Sequence, residues 1–313
     1  MSILVAEAPG YLQVFSDGSV NRFAPEIATA SPEMSIDGYK SKDVVIDPSK
    51  LVTARLFLPE TKKPLDMLMP IVVYFHGGGF CVGSTTWLGY HHFLGDFSVK
   101  SKSIVFSIDY RLAPENRLPV AYDDCYSSLQ WLSRHVNAEP WLKQGDLSRV
   151  FLSGDSAGGN IAHQVAIKVM RNKVPRVDIK GLMLIHPYFG SEKRTEREMA
   201  DEDAGDVKSN DMFWMLSVPE GSNRDYFGCN LAMQEVSVRE WRSEFPAVAV
   251  FVAELDFLKE RGLMHAEFLQ KKGVRHVKLM ESEGESHVFH VFNPKSESTC
   301  LLQEQMSEFM RSY

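Results

Sequence analysis

From about Lys42 onward, short β-branched and aliphatic runs alternate with stretches whose apolar residues recur at helical spacing. The run Met69–Phe75 keeps no polar alternation, which fits a strand covered on both faces. By the same pattern, strands are predicted over Asp43–Ile46, Ala54–Leu58, Ile71–Phe75, Ile104–Ile108, Val150–Leu152, Gly181–Ile185, Ala247–Val252 and Val277–Met280. The first two flank Asp47-Pro48-Ser49-Lys50, a turn sequence that predicts an antiparallel hairpin at one sheet edge. Between the strands, Ile161, Ala162, Val165, Ala166 and Val169 form a helical stripe. Tyr122–Leu132, Leu258–Lys272 and Glu297–Arg311 are spaced alike, and Gly273 sits where a helix C-cap belongs. This alternation predicts an α/β protein with a mostly parallel sheet flanked by helices.

Two segments break the rhythm. Residues 1–41 read as irregular, with turn formers (Asp17-Gly18, Asp37-Gly38) and scattered aromatics (Tyr11, Phe15, Phe23). Residues 190–244 are far longer than an ordinary strand connection. They carry Met212, Phe213, Trp214, Met215 and Trp241, which are costly to leave in water. The expectation is a single domain over 1–313, with 1–41 and 190–244 as cap segments over a pocket. The mixed-sign charge at Lys193–Asp206 reads as solvated cap surface.

Composition narrows the function classes. At 44% hydrophobic and 24% charged, the chain is an ordinary globular protein. Its net charge of −7 argues against a basic face for nucleic acid. Four widely spaced cysteines (Cys81, Cys125, Cys229, Cys300) form no disulfide or metal-ligand pattern and read as free thiols, with Cys81 close enough to the glycine-rich loop to line a pocket. The start, Met1-Ser-Ile-Leu-Val-Ala-Glu, is no signal peptide, and no run reaches the roughly 18 apolar residues of a membrane span. The expectation is a cytoplasmic protein with no membrane, nucleic-acid or obligate protein partner.

The chemistry concentrates at a few turns. Gly-Asp-Ser-Ala-Gly (154–158) follows a strand and opens a helix, so Ser156 becomes the candidate nucleophile, exposed on a sharp turn beside unpaired helix amides. His76-Gly77-Gly78-Gly79-Phe80 follows the buried strand. Its glycines let backbone N–H groups approach a developing oxyanion, with Gly78, Gly79 and Ala157 as donors and His76 shaping the loop. A serine needs a base, oriented by a carboxylate, and in this strand–helix order the acid precedes the histidine. His287 is the base and Asp256 the acid, with Glu254 in reserve, while Glu260 reads as solvated and His290 as a packed or surface residue. Phe80, Trp87, Tyr188, Phe213 and Trp214 are candidate pocket residues. His91, His92 and His186 are placed to approach the pocket, whereas His163, His265 and His276 read as surface or helix positions. Arg111 is expected to pair with Glu115 or Asp155.

Tyr74–Cys81, Asp109–Glu115, Gly154–Gly159 and His287-Val288-Phe289-His290 together resemble the hormone-sensitive-lipase-like branch of α/β hydrolases. More narrowly, they are similar to the plant carboxylesterase family, which includes the gibberellin receptors. The resemblance implies the α/β-hydrolase fold, with an eight-stranded sheet and a cap from the N-terminal segment and the insertion. It implies Ser156, His287 and Asp256 as triad, the same three oxyanion donors, and no metal or cofactor. Receptor members typically lack the histidine present here, and dehydratase members tend to carry threonine in place of Ser156. The expected activity is hydrolysis of small, largely apolar carboxylic esters. The alternatives are lyase or cyclase chemistry with His287 or Tyr188 moving protons on a hydrophobic metabolite, or a ligand-binding module.

Overall fold

The structure, a computed structural model, describes residues 2–35, 37–60, 67–200 and 205–313. Its strands are β1 (Leu4–Ala8), β2 (Leu12–Phe15), β3 (Val20–Arg22), β4 (Tyr39–Asp47), β5 (Val52–Pro59), β6 (Met69–Phe75), β7 (Ile104–Asp109), β8 (Gly145–Asp155), β9 (Ile179–Ile185), β10 (Ala247–Ala253) and β11 (Val277–Ser282). The helices are α1 (Leu88–Ser101), α2 (Val120–His135), α3 (Ala157–Arg171), α4 (Glu196–Ala200), α5 (Gly205–Ser217), α6 (Val238–Ser243), α7 (Lys259–Lys272), α8 (Phe289–Phe292) and α9 (Glu297–Arg311).

Each strand predicted by pattern lies in one eight-stranded sheet ordered β11-β10-β9-β8-β6-β7-β5-β4. From β7 through β11 the neighbours run parallel, while β5 is antiparallel to both β7 and β4. The 47–50 turn thus makes the expected edge hairpin. Along β6 the side chains alternate between two cores. Ile71, Val73 and Phe75 face α2, α3 and α7, while Val72 and Tyr74 face α1 and α9. Both faces are buried, which is why Met69–Phe75 reads as a continuous apolar run. Because β6 and β8–β11 are parallel, the loops after them open at one edge, where α/β sheets place their ligands.

The N-terminal segment departs from expectation. Residues 4–22 form a three-stranded antiparallel sheet, β1-β2-β3, rather than irregular chain. Its inner residues Ala6, Ala8, Leu12 and Val14 pack on Cys81, Val82 and Leu216. Strands of three to five residues show too few alternations to stand out, and their apolar partners come from elsewhere in the chain. Within 190–244, Trp214 on α5 and Trp241 on α6 are completely buried; residues 201–204 of the charged stretch lie outside the described residues.

Several polar assignments also change. Arg111 pairs with Asp124 at 2.8 Å, rather than with Glu115 or Asp155; Glu115 is taken by Arg22. His163 and His265 are the helix positions expected, on α3 and α7, but they do not reach the surface. They are fully buried and face each other at 3.2 Å beneath Phe189 and Trp241. Glu260 is tied to the amide of Arg197 instead of lying free in water. The four cysteines are free thiols, three of them buried.

Candidate active site

Strand β8 ends at Asp155 and α3 begins at Ala157, so Ser156 alone makes the turn, with φ 50° and ψ −119°. That is a strained conformation for a residue with a side chain. The turn is held by the Ser156 amide on the Ile185 carbonyl and by the Tyr188 amide on the Ser156 carbonyl. Gly158 has no alternative, because a Cβ there would stand 1.8 Å from the Phe75 carbonyl oxygen.

The structure brings Ser156, His287 and Asp256 together. His287 Nε2 lies 3.0 Å from the Ser156 hydroxyl and its Nδ1 lies 2.8 Å from Asp256 Oδ2. The other Asp256 oxygen accepts the Leu258 amide, and the carboxylate is 1% exposed. Burial disfavours an imidazolium at His287. Its attraction to and hydrogen bond with Asp256, supported by Asp155 and Asp206, outweigh that and hold its pKa above 6.5. Burial likewise opposes charge on Asp256, but His287, His186 and the Leu258 amide keep its pKa below 3.8. Glu254, the reserve acid, is exposed and accepts the Gly284 amide instead.

Gly78 (φ 104°) and Gly79 (φ 57°) line the same cavity as Ser156. Ala157 is the first residue of α3, so its N–H has no acceptor within the helix. Beneath this loop lies Asp155. The hydroxyls of Tyr74 and Tyr90 donate to it at 2.7 and 2.8 Å, and the Gly77 amide approaches it at 3.1 Å. Desolvation raises the pKa of this carboxyl, against the pull of the two tyrosines. His76 shapes the loop as expected: it is buried, stacks on Tyr110 and places Nδ1 2.8 Å from the Gly77 carbonyl. If Asp155 fixes the glycine loop, Tyr74→Phe, at a residue that does not itself line the cavity, should lower kcat about tenfold with KM nearly unchanged. Steady-state kinetics showing a raised KM at constant kcat would contradict that role.

The cavity has a volume of about 320 Å³ and takes its walls from both unusual segments: Ala8, Pro9 and Tyr11 from the N-terminus, and Asp206, Ser209, Asn210 and Phe213 from α5. Of the expected pocket residues, Trp87, Tyr188 and Phe213 line it. Phe80 and Trp214 do not. They are 1% and 0% exposed and pack on each other and on Tyr188 behind the wall. Cys81 is also buried outside the cavity, against Ser217, and burial pushes its thiol up to about 12. His91 turns away to Arg55, with Nδ1 3.2 Å from the guanidinium, and His92 lies outside the lining too. His186 sits behind His287 rather than in the cavity. Its Nδ1 accepts the Val288 amide, and burial lowers its pKa to about 3, so it is neutral. His290 is buried against Phe93.

His186, Asp256 and His287 are the one group among the described residues with ligand atoms close enough, within 4.8 Å, to share a metal ion. Two of these three groups, Asp256 and His287, are already joined by a hydrogen bond of 2.8 Å.

An eight-stranded, mostly parallel sheet with a serine on the strand–helix turn defines the α/β-hydrolase fold. A family model described as alpha/beta hydrolase fold matches residues 72–291. The chain belongs to the plant carboxylesterase family of these hydrolases. It is 40% identical to probable carboxylesterase 6 of Arabidopsis thaliana over 83% of this chain and 78% of that protein. It is 36% identical to the amyloplastic tuliposide A-converting enzyme b1 of Tulipa gesneriana, over 82% of this chain and 66% of that one. Among solved structures, it is similar to EstE1, a thermophilic carboxylesterase cloned from a metagenomic library, with a TM-score of 0.74 and 26% identity over 87% of this chain and 88% of that one. No helix among the described residues is long and apolar enough to cross a membrane.

The residues that pattern reading missed are Asp155 with its two tyrosines, and the α5 face at Asp206, Ser209 and Asn210. Asp155 carried a signal in its place beside Ser156. The α5 residues carried none, since a polar helix face in sequence is indistinguishable from a solvated one.

Proposed function

We propose that the chain hydrolyses small carboxylic esters through a Ser156-His287-Asp256 triad and an acyl-enzyme. The observation that carries this is the unbroken hydrogen-bond line from Asp256 through His287 to the Ser156 hydroxyl, at the floor of a cavity lined by two glycines. Ser156 Oγ attacks the ester carbonyl while His287 Nε2 takes its proton. The oxyanion forms against the amides of Gly78, Gly79 and Ala157. Its collapse breaks the ester bond, and His287 returns the proton to the leaving alcohol. Water then attacks the acyl-enzyme with His287 again as base, releasing the acid and restoring Ser156.

Tyr11, Trp87, Phe213, Phe257 and Phe292 make most of the wall apolar, which supports apolar acyl groups. Proton movement by Tyr188, as lyase or cyclase chemistry would ask, finds less support. Its hydroxyl already donates to the Asn210 carbonyl, and burial holds its pKa well above 10.0. A cytoplasmic site is consistent with the four free thiols, although several tulip relatives are named amyloplastic or chloroplastic.

A fluorophosphonate probe should add one phosphonyl group, located at Ser156 by peptide mass mapping, and stop release of nitrophenol from a short acyl ester. An unlabelled Ser156 in protein that turns over no ester would overturn the reading.

A further inference from the structure

Helix α5 presents Asp206, Ser209, Asn210 and Phe213 to the cavity, spaced three, four and seven residues from the first and therefore on one helix face. Phe213 anchors one end of this face on the oxyanion loop, because a Cβ at Gly79 would stand 2.7 Å from its ring. Asp206 is seven residues back, roughly 10 Å along the axis, and is among the carboxylates that act on His287. The face therefore runs from the glycines that hold the carbonyl oxygen toward the imidazole that protonates the leaving oxygen. Asn210 lies between the two ends.

Asn210 is 4% exposed, and its Oδ1 has no hydrogen-bond partner among the described residues. Proteins rarely leave a buried amide oxygen orphaned. The residue is also held firmly. Its carbonyl accepts the Tyr188 hydroxyl at 3.0 Å, and Tyr188 is stacked on Trp214. With its backbone held and its side-chain Oδ1 unpaired, this residue of the cavity wall is prepared for something that enters the cavity.

We infer that this face binds a hydroxyl on the leaving alcohol of the ester, so that the substrates of this site are esters of polyhydroxylated alcohols rather than of purely apolar ones. This rests on the hydrolytic reading above. The chemistry of the three residues selects the hydroxyl. A carboxamide offers both acceptor and donor, a serine hydroxyl does the same, and a carboxylate accepts. Neutral hydroxyls match all three: one donates to the Asn210 amide oxygen while accepting from Ser209, and a second donates to Asp206. A cation would have to be buried beside neutral Asn210, with Asp206 exposed to solvent and unable to compensate it in full. The remaining wall is apolar and is left for the acyl chain.

The test compares 2,3-dihydroxypropyl butyrate with propyl butyrate. Both give the same butyryl-enzyme, so deacylation is identical and the ratio of kcat/KM values reads only how the alcohol is held during acylation. The wild type should prefer the diol ester about tenfold, the effect of one buried hydrogen bond made or left unmade. Asn210→Leu should bring the two within about threefold. Turnover of propyl butyrate by that variant shows that it is folded. If the variant turns over neither ester, Ser209→Ala carries the comparison and should reduce the preference at least threefold. Equal turnover of the two esters by the wild type, or an unchanged preference in the variant, overturns the inference while leaving the hydrolytic reading intact. Failure of the wild type to turn over either ester, with Ser156 unlabelled by fluorophosphonate, overturns both.

Discussion

Ser156→Ala is expected to lower kcat on a short acyl ester by about 10⁶-fold, the loss typical when a serine triad is deprived of its nucleophile. The expectation follows from geometry rather than motif. Among the described residues only one hydroxyl lies within 3.0 Å of His287 Nε2, and that atom belongs to the residue on the strained turn facing the cavity. The residual rate should be that of water attacking an ester held by the oxyanion loop. Stability should change little, since the serine side chain caps no helix amide and alanine keeps the turn's Cβ. Initial-rate assays alongside thermal denaturation separate the two effects. Near-wild-type turnover in the alanine variant would end the case for Ser156.

Asp256→Asn should cost about 10⁴-fold in kcat, and it should also move the pH profile. An amide donating to His287 Nδ1 would place the imidazole proton on Nε2, the wrong atom for a base facing Ser156. The sign of the pH effect is fixed by the opposing influences on His287. The imidazole acts as base only when neutral, so wild-type activity should fall as pH drops through its pKa, which lies above 6.5. Removing the Asp256 charge takes away the largest influence that favours the imidazolium, leaving Asp155 and Asp206 against the burial that disfavours it. The acid limb of the variant should therefore lie at lower pH than that of the wild type. A profile of kcat/KM between pH 4 and 9, on the order of the range where histidine titrates, reads this directly. An acid limb shifted upward would mean that Asp256 is not what raises His287.

Much of this was legible in the chain. The inner strands β6 to β10 were visible because strands buried on both faces write continuous apolar runs, and these are local in sequence. Glu297–Arg311 was visible as a helix because its buried residues, among them Leu302, Met306 and Phe309, repeat at helical spacing. Gly158 had to be glycine for a reason that strand–turn–helix order already suggests, close approach to the neighbouring strand. The candidates Ser156, Asp256 and His287 could be chosen because each follows a strand whose carboxyl end opens on the same edge.

What the sequence by itself determined was therefore the sheet, its flanking helices and the few turns on which reactive groups could stand. Only the tertiary structure decided what each side chain meets across long separations. It made the N-terminal residues a small sheet roofing the cavity, turned Phe80 and Trp214 inward behind Tyr188, and gave Arg111 to Asp124. It set Asp155 under the glycine loop and left the Asn210 Oδ1 without a partner among the described residues. The physical reason is the same throughout. Periodicity reports which face of an element is apolar, whereas hydrogen-bond partners and cavity walls depend on which faces of distant elements come together.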